Sequence, residues 1–161
     1  MAPGHDFPPE QPIDADILRV PVGPGALHVE RYGHGGRAVL LVHGFATSSF
    51  VWRMVAPSIA AAGHTAYAVD LLGYGESDRP LEGNYSIAAQ AEYLDRALAA
   101  LRVPPATVVG LGVGGGIALR LAIRHPARVD SLALVNGVAF SECPGRDVRT
   151  VCSGNGSALA V

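Results

Sequence analysis

Three short stretches of this 161-residue sequence combine glycine with residues that can hydrogen-bond or carry charge. In His43-Gly44-Phe45 the glycine permits a tight turn, so the amide that follows can point at a developing negative oxygen. The plainer alternative is a simple strand-to-helix turn. Asp70-Leu71-Leu72-Gly73-Tyr74-Gly75-Glu76-Ser77-Asp78 offers three carboxylates, but not at the regular alternation of a calcium loop. The expected role is structural, with Asp70 and Ser77 hydrogen-bonding backbone inside a glycine bend, and no metal site is expected. Gly110-Leu111-Gly112-Val113-Gly114 has two readings. Small residues at Gly110 and Gly114 suit a strained turn that thrusts its middle residue outward. Extended to Gly115, the same letters spell Gly-x-Gly-x-x-Gly, a cradle for a nucleotide phosphate at a helix N-terminus. The strand ahead of it is not the first of a dinucleotide-binding unit, and no acid ends a strand about 20 residues on, where Asn136 stands instead. Nucleotide binding is therefore the weaker reading.

The elements that must position these loops can be read from apolar spacing. Met1 to Asp14 is rich in proline and polar residues and reads as a flexible arm. Ile17–Val22 and Ala26–Tyr32 read as a hairpin pair joined at Gly23-Pro24-Gly25, the second strand alternating Leu27, Val29 and Arg31 with His28, Glu30 and Tyr32. Ala38–Val42 is a continuous apolar strand of the kind buried on both faces. A helix is expected over Phe50–Ala62, with Ser48 or Ser49 as N-cap and Gly63 at its end. Thr65–Leu71 is the next strand. A helix from Ser86 carries Ile87, Ala91, Leu94, Leu98 and Leu101 on one stripe, and Pro104-Pro105 ends it. Thr107–Leu111 leads through the glycines into a helix stopped by Pro126 after His125, and Ser131–Val135 is the last strand. Threefold strand–helix alternation specifies an α/β fold: a mostly parallel sheet of about six strands, helices on both faces and right-handed crossovers.

Composition agrees with this and narrows the function. Apolar residues make up 49% and charged residues 16%, as in a packed domain and unlike a disordered chain. A net charge of −2 and a pI near 6.3 leave no electrostatic footprint for nucleic acid and no polybasic segment for a membrane. No secretory pattern opens the chain and Ala38–Val42 is far too short to span a bilayer. With only Cys143 and Cys152, reduced thiols and a cytoplasmic location are expected.

Together these segments resemble the α/β-hydrolase superfamily over about residues 15–140. Leu40-Leu41-Val42-His43-Gly44-Phe45 is similar to its oxyanion-loop segment, and Ala68 through Ser77 to the segment after its fourth strand. Val108-Val109-Gly110 through Ala118, with His125-Pro126-Ala127-Arg128-Val129 and Leu132 to Asn136, is similar to its nucleophile elbow, following helix and sixth strand. The nearest branch is that of epoxide hydrolases, dehalogenases and haloperoxidase-like proteins. The resemblance implies a small ester or epoxide-type substrate, no cofactor, and oxyanion donors at the amides of Phe45 and Val113. It implies Ser or Asp as nucleophile, with a His oriented by an acid.

The nucleophile position of that family falls on Gly112, which has no side chain. Its acid and His follow the sixth strand, where this sequence has 141–161, an expected irregular or disordered tail without His. His125 is expected to cap a helix C-terminus and Ser48 a helix N-terminus. His5, His28, His34, His43 and His64 lie in arm, hairpin or loops. A hydrolase without its triad retains roughly 10³–10⁴ over water. The expectation is thus a truncated, catalytically incompetent hydrolase-fold chain, the alternatives being a non-catalytic ligand- or protein-binding member or a nucleotide-binding domain. An uncovered edge at Ser131–Val135 would invite self-association.

Overall fold

The computed structural model describes residues 14–137. The expected tail, and the expected arm apart from Asp14, lie outside the described residues. Six strands form one sheet: β1 (Asp16–Pro21), β2 (Ala26–Tyr32), β3 (Ala38–Val42), β4 (Thr65–Val69), β5 (Ala106–Leu111) and β6 (Val129–Val135). Their order is β1-β2-β4-β3-β5-β6. The β1–β2 and β2–β4 pairs are antiparallel, whereas β3–β4, β3–β5 and β5–β6 are parallel. The hairpin thus adds two antiparallel strands to one edge of a parallel sheet, as the sequence specifies. Strands β2 and β3 have the bounds read from the sequence, and the ends of the other four differ by one or two residues.

Three α-helices cover the sheet: α1 (Val55–Ala61), α2 (Ile87–Ala100) and α3 (Val113–Arg124). Ser86 caps α2 by accepting from the Ala89 amide at 3.2 Å, and the stripe of α2 buries Ala91, Leu94 and Leu98. These pack with Ile117, Ala118 and Leu121 of α3 and with Val29, Leu40, Val42 and Val108 of the sheet in the main core. A second, smaller core gathers Tyr32, Leu41, Trp52, Ala56, Ala66 and Ala68.

The helix expected over Phe50–Ala62 is two pieces. Residues Ser49–Trp52 form a 3₁₀ turn, and the α-helix begins only at Val55. Pro57 supplies the reason. Inside a helix started at Phe50 it would lack the N–H owed to the Arg53 carbonyl and its ring would collide there, whereas in a first turn the missing N–H costs nothing. Strand β2 also departs from simple alternation. Leu27, His28, Val29 and Tyr32 are all buried, because β2 lies inside the sheet with a core on each side.

Candidate functional site at the ends of β3, β4 and β5

Register brings the three glycine-containing loops together. Val42 pairs with Val69 on one side and with Gly110 on the other. His43, Asp70 and the residues after Gly110 therefore leave the sheet at one edge, with the β3 loop in the middle. That edge is where open parallel sheets build their sites.

At the β5–α3 turn, Gly112 adopts φ 55° and ψ −120° as the N-cap of α3. Its amide donates to the Val135 carbonyl at 3.0 Å and its carbonyl accepts from Gly115 at 2.9 Å. The flanking glycines are there for space. A Cβ on Gly110 would run into the Gly114 carbonyl and come within 2.6 Å of the Gly115 Cα. One on Gly114 would strike the carbonyls of His43 and Val42. A Cβ on Gly112 would meet only the Gly44 Cα, at 3.8 Å, an ordinary contact. Of these three positions, 112 alone has room for a side chain. Gly110 lies inside β5 rather than in a phosphate-wrapping loop, and the glycine spacing is accounted for by close strand–helix packing.

The β3 loop presses on this turn, with Gly44 so close to the Leu111 carbonyl that a Cβ there would lie 3.1 Å from it. His43 is fully buried. Its Nδ1 lies 2.8 Å from the Gly44 carbonyl oxygen, and its Nε2 accepts from the Leu71 amide at 3.1 Å. Thr47 Oγ1 donates to the same Gly44 carbonyl at 3.0 Å, and the Tyr74 ring stands edge-on to the imidazole at 5.2 Å. Burial lowers the His43 pKa, opposed more weakly by its bond to Gly44 and by the charge of Asp70.

The acidic loop is spent on structure. Asp70 Oδ1 accepts from the Ser49 amide at 2.6 Å and Oδ2 from the Glu76 amide at 2.8 Å. Ser77 Oγ donates to the Asp70 carbonyl at 2.6 Å and accepts from the His28 amide at 2.8 Å. Asp78 pairs with Arg19 and accepts from the Ala26 amide at 2.7 Å; these contacts hold its carboxyl below the ordinary carboxylate pKa. No cluster of three or more His, Cys, Asp or Glu side chains among the described residues could hold a metal ion.

The other candidates lie apart from the β5–α3 turn. Ser48 caps the 3₁₀ turn, its Oγ 3.4 Å from the Phe50 amide. His125 occupies the C-cap position of α3, but its ring reaches across to α2, with Nε2 3.1 Å from Glu92 and Nδ1 3.6 Å from Asp95. His28 lies 3.5 Å from Glu30, His34 lies 3.3 Å from Asp16, and His64 accepts from the Arg37 amide at 3.2 Å. No imidazole among the described residues comes within 4 Å of a Cβ built on Gly112. Sequence spacing did not reveal the His43 clamp or the hold of Asp70 on Ser49, because the partners lie 28 and 21 residues apart.

The family model described as the alpha/beta hydrolase fold matches residues 37–148. The chain belongs to the α/β-hydrolase family. Relatives of this hydrolase-family chain include a 2-hydroxymuconate semialdehyde hydrolase of a Pseudomonas species, 38% identical over 70% of the chain and 41% of the relative. A haloalkane dehalogenase of Mesorhizobium japonicum is 35% identical over 79% of the chain and 41% of its own length. Among solved structures, an epoxide hydrolase from an endophytic Streptomyces superposes with a TM-score of 0.70 at 35% identity, over 78% of this chain and 37% of that one. The chain spans well under half the length of these relatives. No described helix is long and apolar enough to cross a membrane.

Proposed function

We propose that this chain is a hydrolase-fold protein that does not carry out nucleophilic catalysis at its elbow. The observation that carries the reading is Gly112: a glycine stands where the family's nucleophile belongs, in the positive-φ backbone conformation of an elbow and with room for a side chain it does not have. Gly110 and Gly114 form the tight flanks of that elbow, and the amides of Phe45 and Val113 act as its oxyanion-type donors. Residues 15–140 make up the hydrolase-fold unit. Similarity to an epoxide hydrolase and a dehalogenase supports a small ester or epoxide-type molecule as the ligand class.

Without an attacking atom, donors and binding alone give roughly 10³–10⁴ over water, short of the 10⁶ or more of working enzymes. Purified protein offered an activated acetate ester or an epoxide should show no turnover above buffer. Turnover that disappears on Ser48→Ala or His125→Gln would overturn the proposal, because it would reveal a substitute nucleophile or base. The open space over Gly112 favours one second reading, a non-catalytic member that holds a small ligand there. It predicts that a non-reactive carboxylic ester raises the melting temperature progressively with ligand concentration L, following RT ln(1 + L/Kd).

A further inference from the structure

His43 is buried with both ring nitrogens engaged by backbone, and the two partners demand opposite things of it. The Leu71 amide can only donate, so Nε2, 3.1 Å away, must present a lone pair. The Gly44 carbonyl can only accept, so Nδ1, 2.8 Å away, must carry the proton. One neutral tautomer satisfies both contacts. The other sets donor against donor and acceptor against acceptor, and the charged ring sets N–H against N–H at Leu71. The Gly44 carbonyl is further held by Thr47 Oγ1 at 3.0 Å. Because the Gly44–Phe45 peptide is planar and trans, fixing its carbonyl also fixes its amide, which points the opposite way, away from His43 and Thr47. The same glycine is the one group that a Cβ on Gly112 would touch.

We propose that His43, as its Nδ1–H tautomer, is a positioning residue that sets the direction of the Phe45 amide beside the elbow and couples it, through Leu71, to the end of β4. The proposal rests on reading Phe45 as an elbow donor, but not on whether the elbow turns over substrate. Three further groups face the ring: the Thr47 hydroxyl, whose Oγ1 lies 3.4 Å from Nδ1 and, donating to Gly44, can only accept from it; the Tyr74 ring, edge-on at 5.2 Å; and the Asp70 carboxylate, whose oxygens are occupied by the Ser49 and Glu76 amides. The charge of Asp70 favours a second proton on His43, and burial opposes it more strongly.

Nitrogen NMR on the uniformly labelled full chain at pH 7.5 reads the tautomer directly. The expected result is a protonated Nδ1 and a bare Nε2; an Nε2–H form or a charged ring overturns the proposal. Two substitutions then separate the two contacts. His43→Asn can keep a donor for Gly44 but loses the acceptor for Leu71, so the Phe45 amide resonance should stay in place while Leu71 amide exchange speeds up about tenfold. His43→Gln can keep the acceptor for Leu71 and should reverse the pattern, moving Phe45 and sparing Leu71. Equal disturbance of both amides by both variants would reduce His43 to core filling and overturn the proposal. If the variants fail to fold, the ring measurement on the unaltered chain decides. Turnover enters none of these readouts, so failure here is distinct from failure of the proposed inactivity.

Discussion

Gly112 and its two glycine neighbours differ in what a methyl group would do to them. At Gly112 the added Cβ has space, so Gly112→Ala should lose only the cost of holding alanine at φ 55°, about 1–3 kcal/mol. At Gly110 and Gly114 the Cβ would overlap backbone that cannot move aside. Gly110→Ala and Gly114→Ala should therefore destabilise by more than Gly112→Ala, and denaturant titration of the three variants checks the ranking. His43 makes a residue-scale prediction in pH. Its folded pKa is depressed below the ordinary 6.5, so under acid the unfolded chain takes up a proton that the native state resists. The contribution to stability is full above pH 6.5 and is lost as pH falls below it. Thermal melts at pH 7.5 and 5.5 should show a drop that is smaller in His43→Asn than in the parent.

At the scale of elements, α2 follows its sequence pattern closely, and α1 does not. Ser86 caps α2, the apolar stripe faces the core, and Leu94 is 1% exposed. Leu94→Ala should cost about 2–5 kcal/mol, read from the denaturation midpoint at unchanged slope. In α1 the determining residue is Pro57, which moves the helix start to Val55. The proline was visible in the sequence, but the apolar run around it was the stronger local signal. Strand β2 gave a similar result, its alternation hidden by burial on both faces.

At the scale of the whole molecule, the described sheet is open at both ends, β1 and β6, and the β6 flank presents apolar side chains. Strand β6 is the last in the order, and Leu134, Val135 and the α3 residue Ile123 are exposed at 44%, 46% and 67%. An apolar edge of this kind is a template for further strand pairing. The chain should therefore self-associate as its concentration rises. Ala133→Lys, which puts a charge on that strand, should shift the sedimentation profile back toward monomer.

How much could be read in advance follows from the range of each interaction. The sequence by itself determined the fold class, the hairpin edge, the α2 stripe and the glycine turns, because these depend on local spacing, steric limits and apolar periodicity. The absence of a side chain at Gly112 was legible for the same reason. Strand order was not, and it is strand order that sets the β3 loop between the β4 and β5 loops. Only the tertiary structure brought His43 onto Leu71 and Asp70 onto Ser49, because these contacts join segments whose separation in sequence carries no signal. It also showed that a Cβ at position 112 would have space, since that space depends on how closely Gly44 approaches Gly112 once the sheet has formed.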